Sequence, residues 1–178
     1  MRVIGGEFRS RRLKSIPGRE VRPTPDRLRE TLFDVLAPRI AGCVFVDAYA
    51  GTGAVGIEAL SRGARQAVFL EKARTAVTLI RDNLRALGLE GRAIVAAGKA
   101  PKLLAKFPAD IVFLDPPYAR EEEYEAALVA LSEAPPPLAI VQHSCHFGLK
   151  DAYGRLRRFR VLRQGDNTLS FFAEEAAR

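Results

Sequence analysis

The sequence predicts an α/β protein with a doubly wound, mostly parallel sheet, and three observations carry that prediction. Short apolar runs alternate with longer segments of helical spacing through the middle of the chain. Each run is rich in branched and aromatic residues and apolar on both faces, as in central parallel strands. A repeated strand–helix alternation requires right-handed crossovers. With 178 residues and 48% hydrophobic content, the chain can build one good core.

The N-terminal segment lies outside this alternation, and we expect residues 1–38 to form a small extension ahead of a domain at 39–178. Residues 3–13 predict a β-hairpin around Gly5 and Gly6. A helix should follow, with Thr24 as N-cap and Pro25 at its first position. Its apolar stripe is Leu28, Leu32, Val35 and Leu36.

The alternating region and the tail supply the remaining elements. The predicted strands are 43–47, 67–71, 93–96, 110–115 and 138–141. Between the second and third strands, residues 73–87 have helical spacing, and Gly88 is the stop signal. In the tail, 156–162 and 168–173 flank a turn-prone segment and predict an antiparallel hairpin at the C-terminal sheet edge.

Charge points to a polyanionic partner such as nucleic acid. The chain has 28 basic and 21 acidic residues, a net charge of +7, with basic clusters in the N-terminal segment and at 155–163. A solvated basic surface is the alternative. The N-terminal bases expected to contact nucleic acid are Arg2, Arg9, Arg11, Arg12, Lys14 and Arg22.

Several function classes are not expected. The chain has no apolar run near membrane-spanning length and no signal-peptide pattern, so we expect a cytoplasmic protein without a membrane partner. His143, Cys145 and His146 would alternate across a strand without a second ligand pair, so no metal is expected. Neither cysteine lies near the predicted active loop, which argues against a cysteine nucleophile.

A glycine-rich turn after the first strand predicts a nucleoside-binding site. Gly51, Gly53 and Gly56 follow the spacing G-x-G-x-x-G and open a helix, so backbone can approach a ligand closely. Glu71 ends the next strand about 20 residues later, where an acid accepts hydrogen bonds from ribose hydroxyls. A nicotinamide dinucleotide site, or a tight turn that needs glycine for packing, would show the same pattern.

Asp47 helps to distinguish between the possible nucleoside ligands. It precedes Gly51 by four residues, through a loop longer than the usual dinucleotide turn, and its carboxylate would repel a pyrophosphate but attract an ammonium group. S-adenosylmethionine carries an amino acid ammonium, a ribose and an adenine, and it has no phosphate. The turn therefore favours S-adenosylmethionine as cofactor.

The corner Asp115-Pro116-Pro117-Tyr118 follows the fourth strand, which a doubly wound sheet places beside the first. An exocyclic amine on a nucleobase is a poor nucleophile because its lone pair is delocalised. The Asp115 carboxylate and the Pro116 carbonyl could accept its hydrogens, and the prolines would hold both acceptors rigidly. Tyr118 offers a ring for base stacking. The corner therefore predicts methylation of an exocyclic amine.

The motifs VDAYAGTGAVGIEAL, FLEK and LDPPY resemble those of the class I S-adenosylmethionine-dependent methyltransferases, with a Rossmann-like fold, that modify exocyclic amines. RVIGGEFRSRRLKSIPGREVRPTPDRLRETLFDVL and ALSRGA resemble the RsmD-type 16S rRNA guanine-N2 methyltransferases. The resemblance implies methylation of one guanine in small-subunit rRNA during ribosome assembly, by a monomer acting on an assembly particle.

The resemblance also implies site residues. The catalytic set is Asp115, Pro116, Pro117 and Tyr118. The cofactor set is Asp47, Tyr49, Ala50, Gly51, Gly53, Glu71, Lys72 and Asp115. After the third strand, where relatives often have an acid that contacts adenine, residues 96–100 contain none, so we expect backbone contacts there.

Three rival functions stay open. An N6-adenine or other amino-methyltransferase on DNA or RNA would keep the mechanism and change the substrate. A nicotinamide-dependent oxidoreductase would explain the glycines and Glu71, but it leaves LDPPY unused. A non-catalytic RNA-binding protein would explain the charge alone.

Overall fold

The computed structural model describes residues 1–15 and 26–175. The helices are α1 Asp26–Ile40, α2 Ala54–Ser61, α3 Arg74–Leu87, α4 Ala100–Leu103 and α5 Glu121–Glu133. The strands are β1 Val44–Ala48, β2 Gln66–Glu71, β3 Ala93–Ala97, β4 Ile111–Leu114, β5 Leu138–Ser144, β6 Ala152–Tyr153, β7 Leu156–Gln164 and β8 Asn167–Glu174. None of the helices in the described ranges has the length and apolar content needed to cross a bilayer.

The eight strands of the described ranges form one sheet in the order β3-β2-β1-β4-β5-β8-β7-β6. Strands β1 to β5 pair in parallel, whereas β8, β7 and β6 join as an antiparallel edge. The prediction of a doubly wound, mostly parallel sheet with a C-terminal edge hairpin is confirmed. Strand β4 lies beside β1, as predicted, so the strand order reverses there and opens a crevice at their carboxyl ends.

Apolar residues cover both faces of the central strands because successive side chains alternate. On β1, Phe45 packs in the core cluster that contains α1, and Val46 packs in the cluster that contains α5. The run 93–96 was expected to be a central strand, and this is wrong. It forms the edge strand β3, and Ile94 is 38% exposed because no further strand of the described chain lies beyond it.

Helix α3 confirms the predicted spacing. Val77, Ile80 and Leu84 are buried, and Gly88 follows the helix at φ 68°, the left-handed conformation in which glycine is unstrained. In α1, three residues of the predicted stripe are buried and Val35 is partly buried. The predicted cap at Thr24 and Pro25 lies outside the described residues.

The N-terminal segment folds back on itself with less regular pairing than a hairpin. A single antiparallel bridge joins Arg2 to Arg12, and tight turns occupy the chain between them. Val3 and Leu13 are buried in the same core cluster as residues of α2 and α3. Glu58, fully buried on α2, accepts the backbone N–H groups of Ile4 and Gly5 at 2.8 Å. These contacts hold the N-terminal segment against α3 and against α2, the helix that follows the glycine-rich turn.

Candidate active site

A cavity of about 610 Å³ opens at the carboxyl ends of β1, β2 and β4. This volume is in the usual range for small-molecule sites. The structure brings the two predicted motifs together there. The predicted site residues that line the cavity are Asp47, Tyr49, Ala50, Gly51, Glu71, Lys72, Asp115, Pro116, Pro117 and Tyr118. Gly53 is not among the lining residues.

Gly53 instead shapes the start of α2. It has φ 79°, in the left-handed region, and a Cβ there would lie 3.2 Å from Ile80. Asp47 is 2% exposed and accepts the N–H of Gly56 at 2.8 Å through Oδ2. Burial raises the pKa of Asp47 well above its usual value; the Gly56 bond opposes this rise, and the Asp115 charge adds to it. Asp47 therefore braces the turn as well as lining the cavity.

Glu71 holds the other side of the glycine-rich turn. Its Oε2 accepts the N–H of Gly51 at 2.9 Å, and its Oε1 accepts the N–H of Ala73 at 2.8 Å. These two bonds fix the carboxylate between the turn and the start of α3. An ionised carboxylate has about four lone-pair sites, so both oxygens retain acceptor capacity toward a ligand.

Tyr49, Lys72 and Glu123 form a linked group on the cavity wall. Tyr49 has φ 67°, an uncommon conformation for a residue with a side chain. Its hydroxyl lies 3.0 Å from Glu123 Oε2, and Lys72 Nζ lies 3.8 Å from Glu123 Oε1. Burial, followed by the bond to Glu123, raises the pKa of Tyr49, so its hydroxyl keeps its proton.

The proline corner is held by tyrosine hydroxyls. Tyr124 donates to the Pro116 carbonyl at 3.1 Å, and burial raises the pKa of Tyr124. Tyr118 is half-buried and donates to Asn167 Oδ1 at 2.8 Å, while Gln142 Nε2 lies 3.3 Å from the Tyr118 oxygen. The Pro116 carbonyl thus already has one donor, which leaves its second lone pair for a substrate.

Sequence reasoning missed the residues that hold Tyr118. Gln142 belongs to β5, but the predicted strand ended at residue 141. Asn167 was assigned to a turn, whereas it is the first residue of β8 and pairs with Ser144. A polar residue directly after a buried strand was the signal available for Gln142. No sequence signal connected Asn167 with Tyr118.

The N-terminal bases that were predicted to contact nucleic acid are exposed wherever the structure describes them. These are Arg2, Arg9, Arg11, Arg12 and Lys14. Lys14 Nζ lies 3.5 Å from Asp82, and Met1 of the same segment lines the cavity. Arg22, also predicted to contact nucleic acid, lies outside the described residues.

The expectation of no metal assumed that residues 143–146 form one continuous strand, and this assumption is wrong. Strand β5 ends at Ser144, so Cys145 and His146 do not alternate as in a strand. Ligand atoms of Cys145, His146 and Asp166 lie within 4.8 Å of one another. His143 is buried, and its Nε2 lies 2.9 Å from Ser170 Oγ. The absence of a metal remains a prediction.

Comparisons with known proteins identify relatives over most of the chain. The family described as "Conserved hypothetical protein 95" matches residues 1–173. A candidate rRNA methyltransferase of Bacillus subtilis, YlbH, is 37% identical over 138 residues, which are 75% of this chain and 74% of that protein. The ribosomal RNA small subunit methyltransferase D of Escherichia coli K12 is 43% identical over 122 residues, 67% of this chain and 61% of that protein.

A solved structure extends the likeness to the whole fold. It is that of yhhF, a candidate methyltransferase from Escherichia coli, with 36% sequence identity and a TM-score of 0.86. The match covers 99% of this chain and 99% of that one. Sequence and structure together therefore place the cavity within a shared fold.

Proposed function

The chain belongs to the conserved hypothetical protein 95 family, and on this premise we propose that it is an S-adenosylmethionine-dependent rRNA methyltransferase. The proposed acceptor is the exocyclic N2 of one guanine in 16S small-subunit rRNA. The observation that carries the proposal is one cavity lined by the glycine-rich turn, Glu71 and the corner at Asp115. The Escherichia coli relative named for small-subunit rRNA supports the substrate class.

The hydrogen-bonding and charged groups that line the cavity match the polar groups of S-adenosylmethionine. Glu71 is fixed at the end of β2, where it would accept hydrogen bonds from the ribose hydroxyls. Asp47 lies deeper and would face the ammonium group, while the start of α2 would face the carboxylate. Gly98, Lys99 and Ala100 line the part of the cavity after β3, where we expect backbone contacts to adenine. When bound, S-adenosylmethionine supplies an electrophilic methyl group on its sulfonium.

The corner would orient the amine that receives the methyl group. The Asp115 carboxylate and the second lone pair of the Pro116 carbonyl would accept the two amine hydrogens, so the nitrogen lone pair is directed into the cavity. Tyr118 would stack on the extruded base, with its ring held through its hydroxyl. After methylation the nitrogen is acidic and loses its proton without a strong base.

We propose that the N-terminal extension, residues 1–38, contacts the RNA. Among the described residues, Arg9, Arg11 and Arg12 have no ion pair, and all three are exposed. Their charges would attract backbone phosphates near the cavity, because Met1 of this segment lines it. The proposed substrate form is rRNA within a small-subunit assembly particle, bound by a monomer in the cytoplasm.

Radiolabelled S-adenosylmethionine with undermethylated small-subunit RNA or particles, followed by nucleoside analysis, tests the proposal. Label in N2-methylguanosine is the expected result. Label in N6-methyladenosine would keep the chemistry and refute the proposed substrate. Binding of NADH in place of S-adenosylmethionine in a thermal-shift titration would refute the cofactor assignment.

A further inference from the structure

Gln142 lies beside the proposed catalytic corner. Leu114 of β4 pairs with Val141 of β5, so Asp115 and Gln142 are the next residues on these neighbouring strands. Both residues line the cavity, and Gln142 is 3% exposed. Because neighbouring strands lie about 4.8 Å apart, the two side chains are within reach of one nucleobase.

The hydrogen bonds of the Tyr118 hydroxyl indicate which atom of the Gln142 side-chain amide is the nitrogen and which is the oxygen. The Tyr118 hydroxyl donates its only hydrogen to Asn167 Oδ1, so the same oxygen can only accept from Gln142. The amide nitrogen Nε2 must therefore be the atom at 3.3 Å from Tyr118. The carbonyl oxygen Oε1 is left at the other end of the amide.

That carbonyl oxygen is a buried acceptor with no hydrogen-bond partner among the residues that the structure describes. Three other buried polar atoms share this condition, in Arg29, Gln164 and Thr168. None of those three residues lines the cavity. A buried unpaired acceptor is destabilising, and Gln142 lines a ligand cavity, so a donor on the ligand would supply the partner that this acceptor lacks.

We propose that the Gln142 carbonyl accepts the N1–H of the target guanine and so selects guanine over adenine. This inference rests on the proposed function. Guanine carries N1–H and the N2 amine side by side on one edge, so neighbouring acceptors on Asp115 and Gln142 match both donors. Adenine has a bare N1 acceptor, which would face the Gln142 oxygen without a hydrogen. A site built to pair a polar group discriminates strongly against an analogue that lacks it.

The variant Gln142→Met tests the inference, because methionine is similar in size and makes no such bond. We expect kcat/KM for guanine methylation to fall about 10–100-fold, with S-adenosylmethionine affinity unchanged. The melting temperature should stay level or rise, since the unpaired acceptor is gone. Gln164→Met is the matched control, because it also removes a buried unpaired acceptor but lies outside the cavity lining; its activity should equal that of wild type.

A second measurement separates base reading from support of Tyr118. RNA with 2-aminopurine at the methylated position keeps the N2 amine and replaces N1–H with an acceptor. Wild type should prefer guanine over this analogue, and Gln142→Met should lose most of that preference. Equal preference in both proteins, or full activity of Gln142→Met, would overturn the inference. If wild-type protein labels no guanine at all, the proposed function fails, and this inference fails with it.

Discussion

Replacing Asp47 by asparagine tests whether the burial of this carboxylate destabilises the folded protein. Asp47 is 2% exposed, and its Oδ2 accepts the N–H of Gly56 at 2.8 Å. Asn keeps the shape and an oxygen for that bond while it removes the ionisable group. Burial is the largest cause of the raised pKa, so the substitution removes the main destabilising effect.

The expected difference in the free energy of unfolding between wild type and D47N follows from proton linkage. Because the folded-state pKa of Asp47 is raised, the folded protein retains a proton that the unfolded chain loses above about pH 3.9. The free energy of unfolding of wild type should therefore fall, relative to D47N, by about 1.4 kcal/mol per pH unit as the pH rises toward the folded-state pKa. At pH 7 the advantage of D47N is bounded at about 4 kcal/mol, the slope accumulated from pH 3.9.

Urea unfolding of wild type and D47N at a series of pH values between 4 and 8 measures this difference. The two proteins should be close in stability near pH 4 and diverge as the pH rises. A difference that is constant over this range would refute the raised pKa. D47N should also show a smaller thermal shift with S-adenosylmethionine if the carboxylate faces the cofactor ammonium.

Three further predictions concern the cofactor, the chemistry and the RNA. Glu71→Ala should weaken S-adenosylmethionine binding by about 1.5–3 kcal/mol, and unchanged affinity in calorimetry would contradict the ribose assignment. Asp115→Ala should lower the methylation rate by roughly 10²–10⁴ with cofactor binding retained; wild-type rates would refute its role. Neutralising Arg9, Arg11 and Arg12 should raise the RNA Kd and flatten its salt dependence, because fewer counterions are released. An unchanged salt slope would point to the arginines at 155–163 instead.

The fold was readable because its signals are local. Alternating apolar runs, the spacing in α3 and the stop at Gly88 depend on neighbours within a few residues along the chain. The position of β4 beside β1 followed from the general topology of doubly wound sheets, and the structure has that order. The edge position of β3 did not follow, because its residues have the same apolar character as those of a central strand.

Most residues of the candidate site could also be predicted from local sequence, because the glycine-rich turn and the proline corner are contiguous motifs. The structure places Asp47, Glu71 and Asp115 around one cavity. The sequence did not show that Glu71 holds the backbone of Gly51 and Ala73. Such bonds depend on exact backbone positions, which a residue pattern does not specify.

By itself the sequence determined the sheet, its crossovers and the two motifs, because each is written in consecutive or periodically spaced residues. Only the tertiary structure decided that Gln142 and Asn167 meet the hydroxyl of Tyr118. These three residues come from different parts of the chain, and the antiparallel register of β5 with β8 brings Asn167 to the cavity. Contacts of this kind depend on register and side-chain direction, which become fixed only when the whole core packs.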